Sequence, residues 1–364
     1  VRLRSWSFPD IAKPLAIAAV SAIVLVAASA ALAGSSANGC PCWTPADVLK
    51  ATGTHQVVPV YAVPKQHKKY TLAFIHLDET TPTFATWVVA MKAAAKFYGV
   101  NILQTQEAPN GDEVLPQLYA QLRVNHPAVV GAQHATQALL NATKADNVPL
   151  FGLDSTVIPG IYHMGVPDKQ AGRFAADALG PVVKKAMSTT WKGKQLYYLG
   201  LDYVPCQPCQ DRVDAGFTQI QKYVKIPASH ELLVTTAQNP DQIESQVANI
   251  LTAHPNAVFA SLSLNDEWGI GGFQAAKAAG RQKDMLGVTL GCDSAGIGAL
   301  KDKSNAAMDI GCVNFNAYAE GWNWVEAAIA IAIGKDNGTP IHFKNFSVTQ
   351  YVPRAKVNAI FPNG

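Results

Sequence analysis

Charge is scarce in this sequence. Only 15% of the 364 residues are Asp, Glu, Lys or Arg, and the signs nearly balance, 29 basic against 26 acidic. There is no basic field for nucleic acid to bind, and at 49% hydrophobic the chain is too apolar to stay disordered. Cysteine is sparse as well: six in this length exclude a disulfide-dense scaffold, though not individual bridges. The chain after residue 33 also lacks the motifs of common catalysts. It has no His-Glu-x-x-His, no P-loop, no Gly-x-Ser-x-Gly and no dinucleotide-type glycine fingerprint at a strand–helix junction. Gly269-Ile-Gly-Gly272 falls inside a helical run and is no phosphate cradle. Spacing suggests neither a Cys–His pair nor a Ser–His–Asp set, and no metal or cofactor motif. These absences weigh against an enzyme.

One long hydrophobic run is present. Arg2, Arg4 and Lys13 precede Pro14–Ala33, in which 17 of 20 residues are apolar and nine are Ala. The run ends in Ala31-Leu32-Ala33, the small-x-small pattern at which a signal peptidase cuts. Residues 1–33 therefore read as a signal peptide, with an uncleaved anchor as the alternative, since twenty residues just span a bilayer. Removing them takes away three basic and one acidic side chains, so the formal charge falls from +3 to +1. Ala37-Asn38-Gly39-Cys40 also has small residues before a cysteine, as a lipidation site does, but lacks the usual Leu. The expected location is periplasmic or otherwise extracytoplasmic, with Cys40 a candidate lipid anchor.

Residues 34–67 show no clear periodicity and read as a tether or as an extended arm along the body. From Tyr70 onward, short β-rich runs alternate with helical ones. Strands are expected at 71–77, 100–105, 128–132 and 149–153, then at 195–200, 232–236 and 257–261. Helices are expected from Thr81-Pro82 to Gly99 and at 113–124, 135–146, 212–223 and 240–253. Regular strand–helix alternation means parallel sheets with right-handed crossovers. The segments 117–130 and 246–258 echo each other, each a helix, a His-Pro stop (His126-Pro127, His254-Pro255) and a buried strand. Two similar lobes follow from that echo.

Ligands of α/β sheets bind at the carboxyl ends of the strands. There the chain places Asp78–Phe84, Gln133-His134, Asp154-Ser155, Asp202–Arg212, Gln238-Asn239, Asn265–Trp268 and Asp293-Ser294. Carboxylates, amides and an Arg recur among aromatics, which is the chemistry of sugar recognition. Hydroxyls take charge-assisted hydrogen bonds while C–H faces lie on rings.

Over about residues 70–350 the chain resembles the ribose-binding-protein-like, type I periplasmic solute-binding proteins of sugar ABC transporters. The likeness rests on Leu72–Phe84 with its Thr-Pro-x-Phe turn, Val148–Asp154, Gly165–Arg173, Arg212–Phe217, Asn265-Asp-Glu267 with Ala278–Arg281, and Gly291-Cys-Asp293. It implies an α/β fold of two Rossmann-like lobes with parallel sheets, joined by a three-strand hinge. The first lobe would hold 68–164 and 315–340, and the second 165–314 and 341–364. It also implies a ligand set of Thr81, Phe84, Asp154, Arg212, Asn265, Trp268, Asp293 and Asn314, with Asn316 as the alternative to the last. Two departures are visible: Ser155 stands where the family often has Arg, and Arg212 lies four residues before Gly216 where three is commoner. Each position has a plainer alternative, with Asp154 and Asp293 as caps and Phe84 and Trp268 as packing.

Cys206-Gln-Pro-Cys209 reads as a structural bridge in a turn, because a thioredoxin-like motif opens a helix directly after a first strand. In the implied fold Cys292 and Cys312 meet on neighbouring strands, and a four-cysteine zinc site is the alternative to two bridges. The resemblance implies an importer subunit, monomeric and without cofactor, that captures a monosaccharide or polyol between closing lobes and hands it to an ABC permease. The alternatives are a sensory receptor for a membrane kinase or chemoreceptor, and a secreted enzyme.

Overall fold

The computed structural model describes residues 41–338 and 350–362, apart from 54, 56, 77–80, 107–113, 156, 205 and 238. The signal-peptide reading and Cys40 lie outside these residues.

Two sheets organise the chain. The first contains β1 (Thr71–His76), β2 (Asn101–Gln106), β3 (Val129–Ala132), β4 (Leu150–Leu153) and β5 (Tyr162–Met164), all parallel, in the order β2-β1-β3-β4-β5. The second contains β6 (Gln195–Leu201), β7 (Glu231–Val234), β8 (Ala257–Ser263), β9 (Met285–Gly291), β10 (Asp309–Asn314) and β11 (Gln350–Pro353). Its order is β11-β10-β9-β8-β6-β7. Counted from β6, the order 7-6-8-9-10 repeats 2-1-3-4-5, so each lobe is wound by the same rule. β11 is the exception. It pairs antiparallel with β10, an added edge strand on a sheet that is otherwise parallel as expected.

The helices follow from local chemistry. α1 (Pro45–Thr52) is capped by Thr44, whose hydroxyl accepts the Asp47 N–H while Asp47 accepts the Thr44 N–H. α2 (Pro82–Tyr98) starts on a proline and stops at Gly99, which adopts φ 73°. α3 (Leu115–Leu122), α4 (Gln137–Ala145), α5 (Asp168–Ser188), α6 (Gln207–Ile220) and α7 (Pro240–Ala253) come next. They are followed by α8 (Asp266–Ala278), α9 (Ser294–Lys301), α10 (Ala317–Asp336) and α11 (Val357–Ile360). The two His-Pro stops behave alike. His126 ends a 3-10 turn before β3, and His254 ends α7 before β8. In both, the residue before proline is pushed out of the helical region.

α10 follows β10 of the second sheet in sequence but packs against α2, adding Trp322 and Trp324 to a core with Phe74, Trp87 and Phe151. Val48, Val57 and Val63 join the same cluster, and the Val60 N–H donates to buried Glu326 at 2.9 Å. The described residues of 41–67 therefore lie along the body and are not a free tether. In the second lobe α5 packs on α6, and Gly172 sets their closeness. A Cβ there would stand 1.9 Å from the Arg212 carbonyl oxygen. Two crossovers between lobes are described, Gly165–Pro167 and Phe315–Asn316, and the expected third crossover at 340/341 lies outside the described residues. No described helix is long and apolar enough to cross a membrane.

Candidate functional site

The carboxyl ends of the two sheets face each other across a cavity of about 140 Å³. The first lobe lines it with Thr81, Thr83 and Phe84 after β1, Gln133 and His134 after β3, and Asp154 and Ser155 after β4. The second contributes Cys206, Pro208, Cys209 and Arg212 from the start of α6, Leu264 and Asn265 after β8, and Leu290 and Gly291 from β9. Phe315, on a crossover, completes the wall.

Arg212 is the centre of the site. It is 5% exposed, and a buried cation must be paired. Its Nη2 donates to both carboxylate oxygens of Asp154 at 3.0 and 3.2 Å, its Nε to Asp168 at 2.6 Å, and its Nη1 to the Leu264 carbonyl at 3.2 Å. The Phe315 ring lies 4.8 Å from the guanidinium. Burial opposes the cation's charge, and the two carboxylates outweigh burial and hold it protonated. Burial also pushes Asp168 up to about 7, against the pull of Arg212. Asp154 reaches this place through a left-handed turn at the end of β4 (φ 50°), which its own N–H stabilises by donating to Met164. One ion-pair cluster thus joins a residue of the first lobe to the second.

A second contact crosses the cleft. Thr83 Oγ1 donates to Asp293 Oδ2 at 3.1 Å, while Asp293 Oδ1 accepts the Ala295 and Gly296 N–H groups as the cap of α9. Beneath it, fully buried Asp266 accepts from the Asp293 N–H at 2.9 Å and from Thr289, and burial raises its pKa. Asn265 caps α8 with its carbonyl oxygen, which accepts the Trp268 N–H at 2.9 Å. That cap makes no use of the two amide N–H donors, which stay available for a ligand.

Of the eight expected ligand residues, Thr81, Phe84, Asp154, Arg212 and Asn265 converge on the cavity. Trp268, Asp293 and Asn314 do not line it. Trp268 packs between two apolar clusters, with its indole N–H buried and without a partner. Asp293 stands at the rim as a cap. Asn314 accepts the Asn316 N–H at 2.8 Å in a local turn, and Asn316 adopts φ 56° and caps α10. Asp168, Thr83 and Phe315 belong to the site although the sequence reading assigned them no role. The signals were adjacent, since Asp168 lies inside the Gly165–Arg173 block, Thr83 inside the Thr-Pro-x-Phe turn, and Phe315 beside Asn314.

The cysteines correct one reading. Cys206 caps α6 and Cys209 lies in its first turn, with residues 202–205 between them and the end of β6, so the pair opens a helix and is not confined to a turn. Both expected bridges are present, Cys206–Cys209 and Cys292–Cys312, so the four sulfurs are paired two and two. No described cysteine is free, and no cluster of described His, Cys, Asp or Glu side chains is arranged to hold a metal ion.

Two matched α/β lobes with a polar cleft between their strand ends define a class of hinged binding proteins. The chain belongs to the periplasmic binding protein family: the model described as "Periplasmic binding protein domain" matches residues 72–336. A comparison with curated proteins finds no match. Among solved structures it is similar to a carbohydrate transporter solute-binding protein from Agrobacterium radiobacter in complex with D-arabinose. That pair has a TM-score of 0.67 and 18% identity, covering 81% of this chain and 99% of the other. An ABC transporter solute-binding protein from Actinobacillus succinogenes with bound D-allose gives 0.65 and 17%, covering 80% and 100%. Another, from Bacillus halodurans with bound myo-inositol, gives 0.65 and 14%, covering 80% and 98%.

Proposed function

We propose that the protein is the solute-binding subunit of an ABC importer and captures one monosaccharide or cyclic or linear polyol between its lobes. The observation that carries this reading is the cavity, with a carboxylate, a guanidinium and an amide on its walls beside the rings of Phe84 and Phe315. At about 140 Å³ it is far smaller than the ~300–1,000 Å³ of drug-sized sites, which restricts the ligand to about one ring. The solved relatives that hold D-arabinose, D-allose and myo-inositol support the same class of ligand.

In this reading the ligand's hydroxyls donate to Asp154 and accept from Arg212 and Asn265, and closing completes the contacts. A ligand that touches both lobes binds the closed form better than the open one, and that difference drives closure. The closed pair of lobe faces is what the permease reads. The protein works as an exported monomer, with no catalytic step and no nucleic-acid partner.

The test is a thermal-shift screen of D-arabinose, D-allose, allitol and myo-inositol, followed by calorimetry and solution scattering. At least one compound should raise the melting temperature, bind with a single site and lower the radius of gyration. Absence of binding across pentoses, hexoses and polyols would overturn the reading.

A further inference from the structure

The two bridges share a chemistry but not a setting. Cys292 and Cys312 are 5% and 0% exposed and sit among Ile297, Leu300, Val352 and Val357, where an attacking thiolate has no path to the sulfur. Cys206–Cys209 opens onto the cleft. Both residues line the cavity, and Cys206 is only half-buried. Cys206 Sγ also accepts the Cys209 N–H at 3.2 Å, at the positive end of a 14-residue helix. The bridges differ in what they do for stability as well. One spans 3 residues and the other 20, and a short loop removes little freedom from the unfolded chain. The cleft bridge thus contributes less to stability than the buried one and is far more accessible.

We propose that Cys206–Cys209 is a thiol–disulfide exchange site, opened from the cleft by a dithiol reductant, with Cys206 as the sulfur attacked. The first thiolate of the dithiol bonds to Cys206 Sγ. The Cys206–Cys209 bond breaks, and Cys209 leaves as a thiolate and takes a proton. The second thiol of the reductant, as thiolate, then attacks its own partner sulfur in the mixed disulfide and expels Cys206. Two electrons and two protons reach the protein, and the reductant leaves as a disulfide. The second step is the one the fold favours, because the departing Cys206 thiolate is received by the Cys209 N–H and the start of α6. Arg212 lies one turn beyond Cys209 on the same helix, so the exchange site adjoins the ion-pair cluster that joins the lobes.

The test uses the ligand-free mature protein, so its failure leaves the sugar-binding reading untouched. The protein is exposed to graded dithiothreitol without denaturant, alkylated, and analysed by peptide mass spectrometry. Cys206 and Cys209 should be labelled at least ~10-fold faster than Cys292 and Cys312. Equal rates for the two pairs, or labelling of Cys206 and Cys209 only after unfolding, would overturn the proposal. In Cys209→Ala, folded by circular dichroism, Cys206 should alkylate with a thiol pKa below the ordinary ~8.5. An ordinary or higher value would overturn it equally.

Discussion

The two walls of the cleft are built from different materials. The first lobe offers hydroxyls, an amide, an imidazole and a carboxylate, with Phe84 its single aromatic, whereas the second offers leucines, a proline, a disulfide, Asn265 and Arg212. Arg212 is moreover already satisfied, by Asp168 of its own lobe and Asp154 of the other. The first lobe is therefore equipped to recognise and the second to cover. The guanidinium proposed to meet a ligand also holds the walls together without one.

The largest expected effect comes from removing that cation. Arg212→Met leaves Asp154 and Asp168 buried without a partner and should cost about 3–5 kcal/mol of stability, read by urea unfolding. A loss below about 1 kcal/mol would mean that the cluster relaxes into solvent. Next, Asp154→Ala should weaken the best ligand of the screen by about 2 kcal/mol, and Asn265→Ala by about 1 kcal/mol, in calorimetry. Equal losses would erase the division between a recognising and a covering wall.

The lobes also carry matched buried carboxyls, Glu326 in the first and Asp309 in the second, each pushed up to about 7 by burial. Unfolded, they titrate near 4. Between those values the folded protein binds more protons than the unfolded chain, so stability is greatest at low pH and is lost as pH rises toward 7. The melting temperature should be higher at pH 5.5 than at pH 7.5, and Glu326→Gln and Asp309→Asn should each flatten the slope. If only one does, the lobes do not share the titration. The smallest effect is that of Thr83→Val, which deletes one cross-cleft hydrogen bond and should shift the closed form by about 1 kcal/mol. A slightly larger radius of gyration without ligand would show it.

Much of this was legible in the residues. The buried strands are continuous apolar runs bounded by turn residues, and the His-Pro stops mark the same point in both lobes, so the doubled architecture could be read directly. The start of α6 could not. Pro208 is the same first-turn signal that Pro82 gives for α2, but a cysteine in the capping position hides it, because Ser, Thr, Asp and Asn are the usual caps. The arm was obscure for another reason: its burial depends on scattered valines without a period, and only the Thr44–Asp47 capping box and first-turn Pro45 announced a helix. Site residues divided along the same line. Asp154 and Asn265 follow strands and face the cavity. Asn314 ends a strand too, but a local turn claims its side chain, and no spacing rule separates those outcomes.

One last consequence is mechanical. The Cys292–Cys312 bond joins the residue after β9 to the strand that leaves for the first lobe two residues later. Torque arriving through that strand meets two plies fastened together, not a single ribbon held by hydrogen bonds. If the lobes close as proposed, the yielding point is forced outward to Phe315 and Asn316, and the second lobe behind it would swing as one lever arm.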